Sequence, residues 1–453
     1  MNCKLWKMKI AFDRGETAKM KGILLCLSLS VLTLAGFIVA GDDVVKSGAV
    51  SEWPAFRGAG GQAVSADANT SISWDVKSGK GILWKADLPL PGSGSPIVCG
   101  DKVFVASAAG NQGAIFCFDS KSGKLIWKGA VTLKGKPELF EEETTTLAPS
   151  TPVTDGKRVF AVFATGAIAA FNLDGTAAWN TDLGLPEINY AYASSPALYK
   201  NLLLVQFDQN DEKAAIIAFD TETGKEVWRT KRAMGASWCS PLIIETAKGP
   251  QIVLVSCGGV AAYDLKDGRE IWSVKGSSSD IVSSPSFSKG LVIVTLGSSG
   301  TMAIRPDGAG DVTKTHVVWR NSEVTSDVAS PLAYGDGAFF VSSSAICLNV
   351  SDGKKVAERE LDGQIYASPI VAGGKLYIIN RDGEVTIFKA DKTLELLGKT
   401  AFGEPVDASP AVSNGCIFVR TLKRLICVAP LSAGAAPAPQ SKPPLTAEPS
   451  AKP

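Results

Sequence analysis

The chain has 453 residues, enough for two or three ordinary domains, and its 46 lysines plus arginines against 45 aspartates plus glutamates leave a formal net charge of +1. There is no basic surplus to neutralise a phosphate backbone or hold an anionic membrane surface, so nucleic acid is excluded as an expected partner. With one histidine, His316, a multi-histidine zinc site cannot be assembled from this chain alone.

Taken from the N-terminus, Ile23 to Ala40 form an 18-residue, mostly apolar run preceded by Lys19 and Lys21 and followed by Asp42 and Asp43. This is the layout of an export signal, with Val39 and Gly41 as the small residues before a cut at Asp42. Left uncleaved, the run is nearly long enough to anchor the chain in a bilayer. Met20 would serve as a start, because residues 1 to 19 add nothing that a signal requires. Cys26 lacks the preceding small residues of a lipid-attachment site. Residues 1–41 are therefore read as signal peptide or anchor, and 42–80 as an extension carrying the motif WPAFRG from Trp53.

From there the dipeptide Ser-Pro, once relaxed to Thr-Pro, recurs eight times, with prolines at 96, 152, 196, 241, 285, 331, 369 and 410. The intervals of 56, 44, 45, 44, 46, 38 and 41 residues match one four-stranded propeller blade and are too short for a domain. The unit from Ser194 to Thr230 serves as a type example. Pro196 opens an inner strand, Lys200-Asn201 turns the chain, Leu202 to Phe207 and Ala214 to Phe219 are the next strands, and Lys225 to Arg229 is the outer one. Trp228 on that outer strand shares a column with Trp127, Trp179, Trp272 and Trp319, large side chains suited to covering the gap between sheets. Asp155-Gly156, Asp336-Gly337, Gly373-Gly374 and Asn414-Gly415 mark first hairpins. In the third strand one column reads Cys117, Ala170, Ala218, Ala262, Ala303, Cys347, Ile387, Cys427, so three of the seven cysteines beyond the signal are read as buried thiols. The acidic insertion GKPELFEEETTT at 135–146 has no ligand spacing and reads as a solvated loop.

The eighth unit lacks its outer strand, while Gly81 to Asp87 is an orphan outer strand with Trp84 in the tryptophan column. Pairing first to last removes two open edges and predicts an all-β, eight-bladed propeller over 81–430, its last blade closed by the N-terminal strand. Residues 431–453, rich in proline and alanine, form a tail that cannot bury a core.

The Ser-Pro inner strand, the Asp-x-x-x-Gly-Lys turn and the outer-strand tryptophan together resemble the pyrroloquinoline-quinone-like (PQQ-like) propeller repeat. WPAFRGAGG from Trp53 and AIRPDGAGDVTKTHVVWR from Ala303 are similar to exported members of planctomycete type. The resemblance implies two branches: quinoprotein alcohol and glucose dehydrogenases, and the non-catalytic lipoprotein propeller of the outer-membrane barrel assembly machinery. The dehydrogenase branch implies a quinone over the axis, a disulfide of adjacent cysteines, calcium and an Asp base. Adjacent cysteines are absent here, Cys239 lying between Trp238 and Ser240, and His316 falls on an outer strand beside Trp319.

The innermost strands of such a fold line its channel, so Tyr192, Trp238, Asp280, Asp327, Tyr366 and Asp407, a few residues before each Ser-Pro, are expected to ring one mouth. They are the candidate binding residues, either for a polar ligand or cation or simply as hydrated side chains. Arg381, Arg420 and Lys423 are candidates to offset their charge. The expected function is an exported, non-catalytic scaffold for an envelope protein partner or a ligand, with no cofactor. The alternative is a divergent dehydrogenase binding PQQ and calcium, Trp238 stacking and Asp327 or Asp407 acting as base.

Overall fold

The computed structural model describes residues 52–430 apart from 138–145, 210–212, 234 and 277–279; the apolar N-terminal run, the acidic core of the insertion and the tail lie outside the described residues. Eight antiparallel sheets follow one another along the chain. In blade 3 the strands are Ala197–Tyr199, Leu202–Phe207, Ala215–Asp220 and Glu226–Lys231, the order the type repeat predicts. Blade 8 takes its outer strand from the other end of the chain: Ile82–Asp87 pairs antiparallel with Arg424–Val428, Trp84 opposite Cys427. The eight-bladed ring is thus closed by its N-terminal strand.

The repeated Ser or Thr before each proline has a bonding role. The backbone N–H of Ser95 donates to Thr151 Oγ1, Thr151 to Ser195 Oγ, Ser195 to Ser240, Ser240 to Ser284, Ser284 to Ser330, Ser330 to Ser368 and Ser368 to Ser409, all at 2.8–3.0 Å. The innermost strands of blades 1 to 7 therefore each hang on the hydroxyl of the next blade. The proline that follows has no N–H, so the start of each inner strand presents no unpaired backbone donor to the channel.

At the periphery, the outer-strand tryptophans do a similar job. Trp84, Trp127, Trp179, Trp228 and Trp319 donate Nε1–H to carbonyls of Ser120, Leu173, Thr221, Leu265 and Val350 in the following blade, at 2.8–3.3 Å. Each indole also lies on the glycine of that blade's second turn. At Gly224, whose φ is +69°, an added Cβ would sit 2.5 Å from the Trp179 ring. The cross-strand partner of each outer-column residue is the predicted third-strand column, from Cys117 opposite Trp127 to Cys347 opposite Ala357. Cys117, Cys347 and Cys427 are fully buried there, and burial pushes the Cys117 and Cys347 thiols up to about 12. Trp272 departs from the pattern. Its Nε1–H goes to Gln251 of its own blade at 2.9 Å, because the excursion after Ala303 folds back and lays Gly310–Asp311 parallel to Trp272-Ser273. His316 closes that excursion on the rim, with Thr315 Oγ1 2.8 Å from Nδ1 and Asp307 3.4 Å from Nε2.

The WPAFRG segment, read from sequence only as an extension, threads the axis. Trp53 bridges Val98 of blade 1, and Thr154 N–H of blade 2 donates to Pro54 O at 2.9 Å. Across the channel, Arg57 donates to the carbonyls of Pro285 and Pro331 in blades 5 and 6. Val64–Ser65 then adds a parallel strand to the inner edge of blade 7 at Val371. Gly58 is required twice over: its φ is +73°, and a Cβ would lie 2.8 Å from the Trp53 ring folded onto it. Arg57 is buried without a carboxylate, which pulls its pKa down to about 9. Beyond Val64 the segment passes blade 7, where Tyr377 OH donates to Ser71 O at 2.9 Å and Trp74 packs on Phe402 at 5.3 Å, before entering blade 8.

Two substitutions test these interblade contacts by chemical denaturation. Ser330→Ala leaves the buried Ser284 N–H without its acceptor and is expected to cost about 1–3 kcal/mol, whereas Ser330→Thr, the residue blade 2 already carries, costs under about 1 kcal/mol. Gly224→Ala, which meets both the positive φ and the Trp179 ring, should cost at least about 2 kcal/mol more than Gly156→Ala, where φ is +80° but nothing lies within 4 Å of the added Cβ.

Candidate functional site

On the Ser-Pro face the axis opens into a basin of about 400 Å³ to which every blade contributes. Its wall is the hydroxyl ring itself, Ser95, Thr151, Ser195, Ser240, Ser284, Ser330, Ser368 and Ser409, and Phe56 of the threaded segment reaches it from the axis. Above the ring stand Tyr190 and Trp238 on one side and Tyr366 and Asp407 on the other. Blades 3 and 7, which Tyr190 and Tyr366 precede, are four apart in a ring of eight and so face each other.

Trp238 is held from three directions. Its Nε1–H donates to Ala191 O at 2.9 Å, its backbone N–H to Ile281 O at 3.0 Å, and Tyr190 meets it edge-on with ring centroids 5.9 Å apart. Tyr190 and Ala191 both have left-handed backbones, φ 61° and 62°, an arrangement that costs on the order of 1–2 kcal/mol per residue and is typical of ligand-clamping loops. That double kink is also why Tyr192 does not reach the mouth. It is fully buried between blades 2 and 3, its ring 5.4 Å from Phe207, and Tyr190 occupies the place expected of it.

Beneath the Trp238 loop lies a buried ion pair. Arg232 Nη1 is 2.7 and 2.6 Å from the two Asp208 oxygens, Nη2 donates to Ser256 Oγ at 2.7 Å and Nε to Tyr263 OH at 3.2 Å, with neither charged side chain exposed. Gln206 donates to Asp208 at 2.6 Å and to Val255 O, where Ser237 Oγ also donates at 2.9 Å. Burial pushes the Asp208 carboxyl up to about 6 against the pull of Arg232. The network joins blade 3 to blade 4 directly under Trp238.

Across the basin, Arg381 Nε donates to Asp407 at 2.8 Å and the guanidinium lies over Tyr366, 4.2 Å from its centroid. Of the three cations proposed to offset the mouth's charge, Arg381 does so. Arg420 does not: it is buried at the ring's seam, where it donates to Gly94 O, Ala106 O and Ser107 Oγ of blade 1, and desolvation lowers its pKa to about 9. Lys423 is exposed. Asp280 and Asp327 are exposed and do not line the basin. Trp238, Tyr366 and Asp407 are thus brought together, joined by Tyr190, Arg381 and Phe56, which the interval from the Ser-Pro mark gave no means of finding.

An eight-bladed propeller of PQQ-like repeats with a basin on its axis defines the class of the protein. The sequence profile of the family described as "Outer membrane protein assembly factor BamB" matches residues 4–134, 73–211 and 204–394, and the chain belongs to that family. Among curated relatives, the outer membrane protein assembly factor BamB of Yersinia pestis is 24% identical over 313 residues, 65% of this chain and 71% of the relative. In fold, the crystal structure of BamB from Moraxella catarrhalis matches with a TM-score of 0.55 at 14% identity, covering 76% of this chain and 96% of that one. Quinohemoprotein alcohol dehydrogenase from Comamonas testosteroni gives 0.62 at 10% identity, over 88% and 83%.

The dehydrogenase fold raises the question of its quinone, a planar tricarboxylate. No lysine, arginine or histidine is among the residues lining the basin, its one lining carboxylate is bound to Arg381, and no metal-holding group of three or more His, Cys, Asp or Glu occurs among the described residues. The residues present do not fit a calcium-bound tricarboxylate.

The ion pair makes a measurable claim. Asp208→Asn leaves Arg232 charged and buried alone and is expected to destabilise the protein by about 3–5 kcal/mol in denaturant titration, whereas replacing Asp208 and Arg232 together by leucine and methionine recovers most of that loss.

Proposed function

We propose that this chain is an exported, non-catalytic propeller of the cell envelope that holds an envelope partner or ligand on its Ser-Pro face. The observation that carries the reading is the basin: all eight blades contribute to it, its aromatic and polar side chains are anchored by dedicated hydrogen bonds, and its lining offers no cationic group for a quinone. The relatives' description as outer membrane assembly factors supports an envelope role with a protein partner. The apolar run from Ile23 to Ala40 supports export, by cleavage or as an anchor. The dehydrogenase reading has only the shared fold in its favour, and fold alone does not carry chemistry.

The test is capture from envelope extract by the wild-type protein and by a Tyr190→Gly, Tyr366→Ala double variant. Glycine suits the left-handed backbone at 190 and offsets part of the lost ring contacts to Trp238 and Arg381, so the variant is expected to remain cooperatively folded, checked by its thermal melt. Partners held at the Ser-Pro face should be lost or weakened at least tenfold, and retention of every captured partner by the variant would remove the face as the docking surface. Titration with pyrroloquinoline quinone and calcium should give no saturable binding; saturation with dye reduction by an alcohol would overturn the non-catalytic reading.

A further inference from the structure

The chemistry of the hydroxyl ring narrows what the basin can hold. Seven of its oxygens, on Thr151, Ser195, Ser240, Ser284, Ser330, Ser368 and Ser409, each accept one backbone N–H from the neighbouring blade. A hydroxyl offers one donor and two acceptor sites, so each keeps an O–H and one lone pair. Among the described residues none of these seven O–H groups meets a protein acceptor, although the side chains are only 2–8% exposed. Buried donors of this kind are ordinarily satisfied, and all seven face the same cavity.

A ligand that only accepts would use half of what the ring offers, whereas one that both donates and accepts at many points uses all of it. Charge narrows the choice further. The lining contains no basic side chain and its one carboxylate, Asp407, is already paired with Arg381, so nothing there offsets the charge of an anion. The upper wall adds flat apolar surface, with Tyr190 and Tyr366 at 44% and 39% exposure on opposing blades. Such rings pack against a face of aliphatic C–H groups, and Asp407, held by Arg381, presents carboxylate oxygen to neighbouring hydroxyls. The cavity's about 400 Å³ falls at the small end of small-molecule sites.

We infer that the axial basin is a binding site for a neutral carbohydrate of one or two pyranose rings, stacked between Tyr190 and Tyr366 and hydrogen-bonded to the Ser/Thr ring. This rests on the reading of the Ser-Pro face as a binding surface and gives that surface a ligand class.

The experiment is calorimetric titration of the whole exported protein with D-glucose, D-galactose, N-acetyl-D-glucosamine, cellobiose and maltose, with tryptophan fluorescence as a second readout for Trp238. At least one sugar should saturate with one site per chain. Tyr190→Gly and Tyr366→Ala should each weaken it at least tenfold while still melting cooperatively, and D-glucuronate and glucose 6-phosphate should bind more weakly than glucose. Absence of saturation by all five sugars, or unchanged affinity in the double variant, overturns the inference. The two readings fail separately. Envelope capture that depends on Tyr190 and Tyr366 without sugar binding sinks only the carbohydrate, while sugar binding that needs both tyrosines beside variant-insensitive capture sinks only the partner's place on this face.

Discussion

The structure depends on a chain of hydrogen bonds that runs around the axis from one blade's backbone N–H to the next blade's hydroxyl. A single neutral bond of this kind is worth only about 0.5–1.5 kcal/mol net, but its geometry admits no substitute except another small β-hydroxyl, and it repeats at the narrowest radius of the ring. Strand position at the centre fixes blade spacing. Blade spacing in turn sets where each outer tryptophan meets the following blade's turn, so the peripheral indole-on-glycine contacts follow from the central ones. The polar centre and apolar rim therefore specify the same angle per blade, which is the kind of agreement between levels that gives one fold rather than several.

That agreement explains what could be read beforehand. A contact repeated from blade to blade forces the same residue type at the same interval, so the Ser-Pro marks, the tryptophan column and the buried cysteine column were legible, and with them the seam at Trp84. Contacts made once leave no period. The threaded segment is held by carbonyls of Pro285 and Pro331 and by the edge strands at Val98 and Val371, each a different bond, so nothing in WPAFRG announces an axial position. Arg420 was equally opaque, since its partners lie more than 300 residues away across the seam. Tyr192 was misplaced for a local reason: two successive left-handed residues reverse the side chains before it, and neither Tyr190 nor Ala191 is a residue type that signals such a backbone.

The site combines the two kinds of information. Its base is the repeat, polar and nearly eightfold, while its walls are the residues by which the blades differ. The loop of Trp238 is tied through Ser237 to the buried ion-pair network that joins blade 3 to blade 4, and Tyr366 is backed by an arginine tied to an aspartate from the next blade. Breaking the regularity costs stability at these points, through strained backbone and desolvated charge, and such costs are common where a fold is adapted to bind.

Phe56, finally, lines the basin and also the chamber of about 380 Å³ that Arg57 and Gly61 border on the axis. With its own N-terminal segment laid across the middle, the ring is not an empty tube. A guest entering from the Ser-Pro side meets Phe56, and a protein seated on that face would cover the same opening. Guest and partner would then share one surface, the first beneath and the second above.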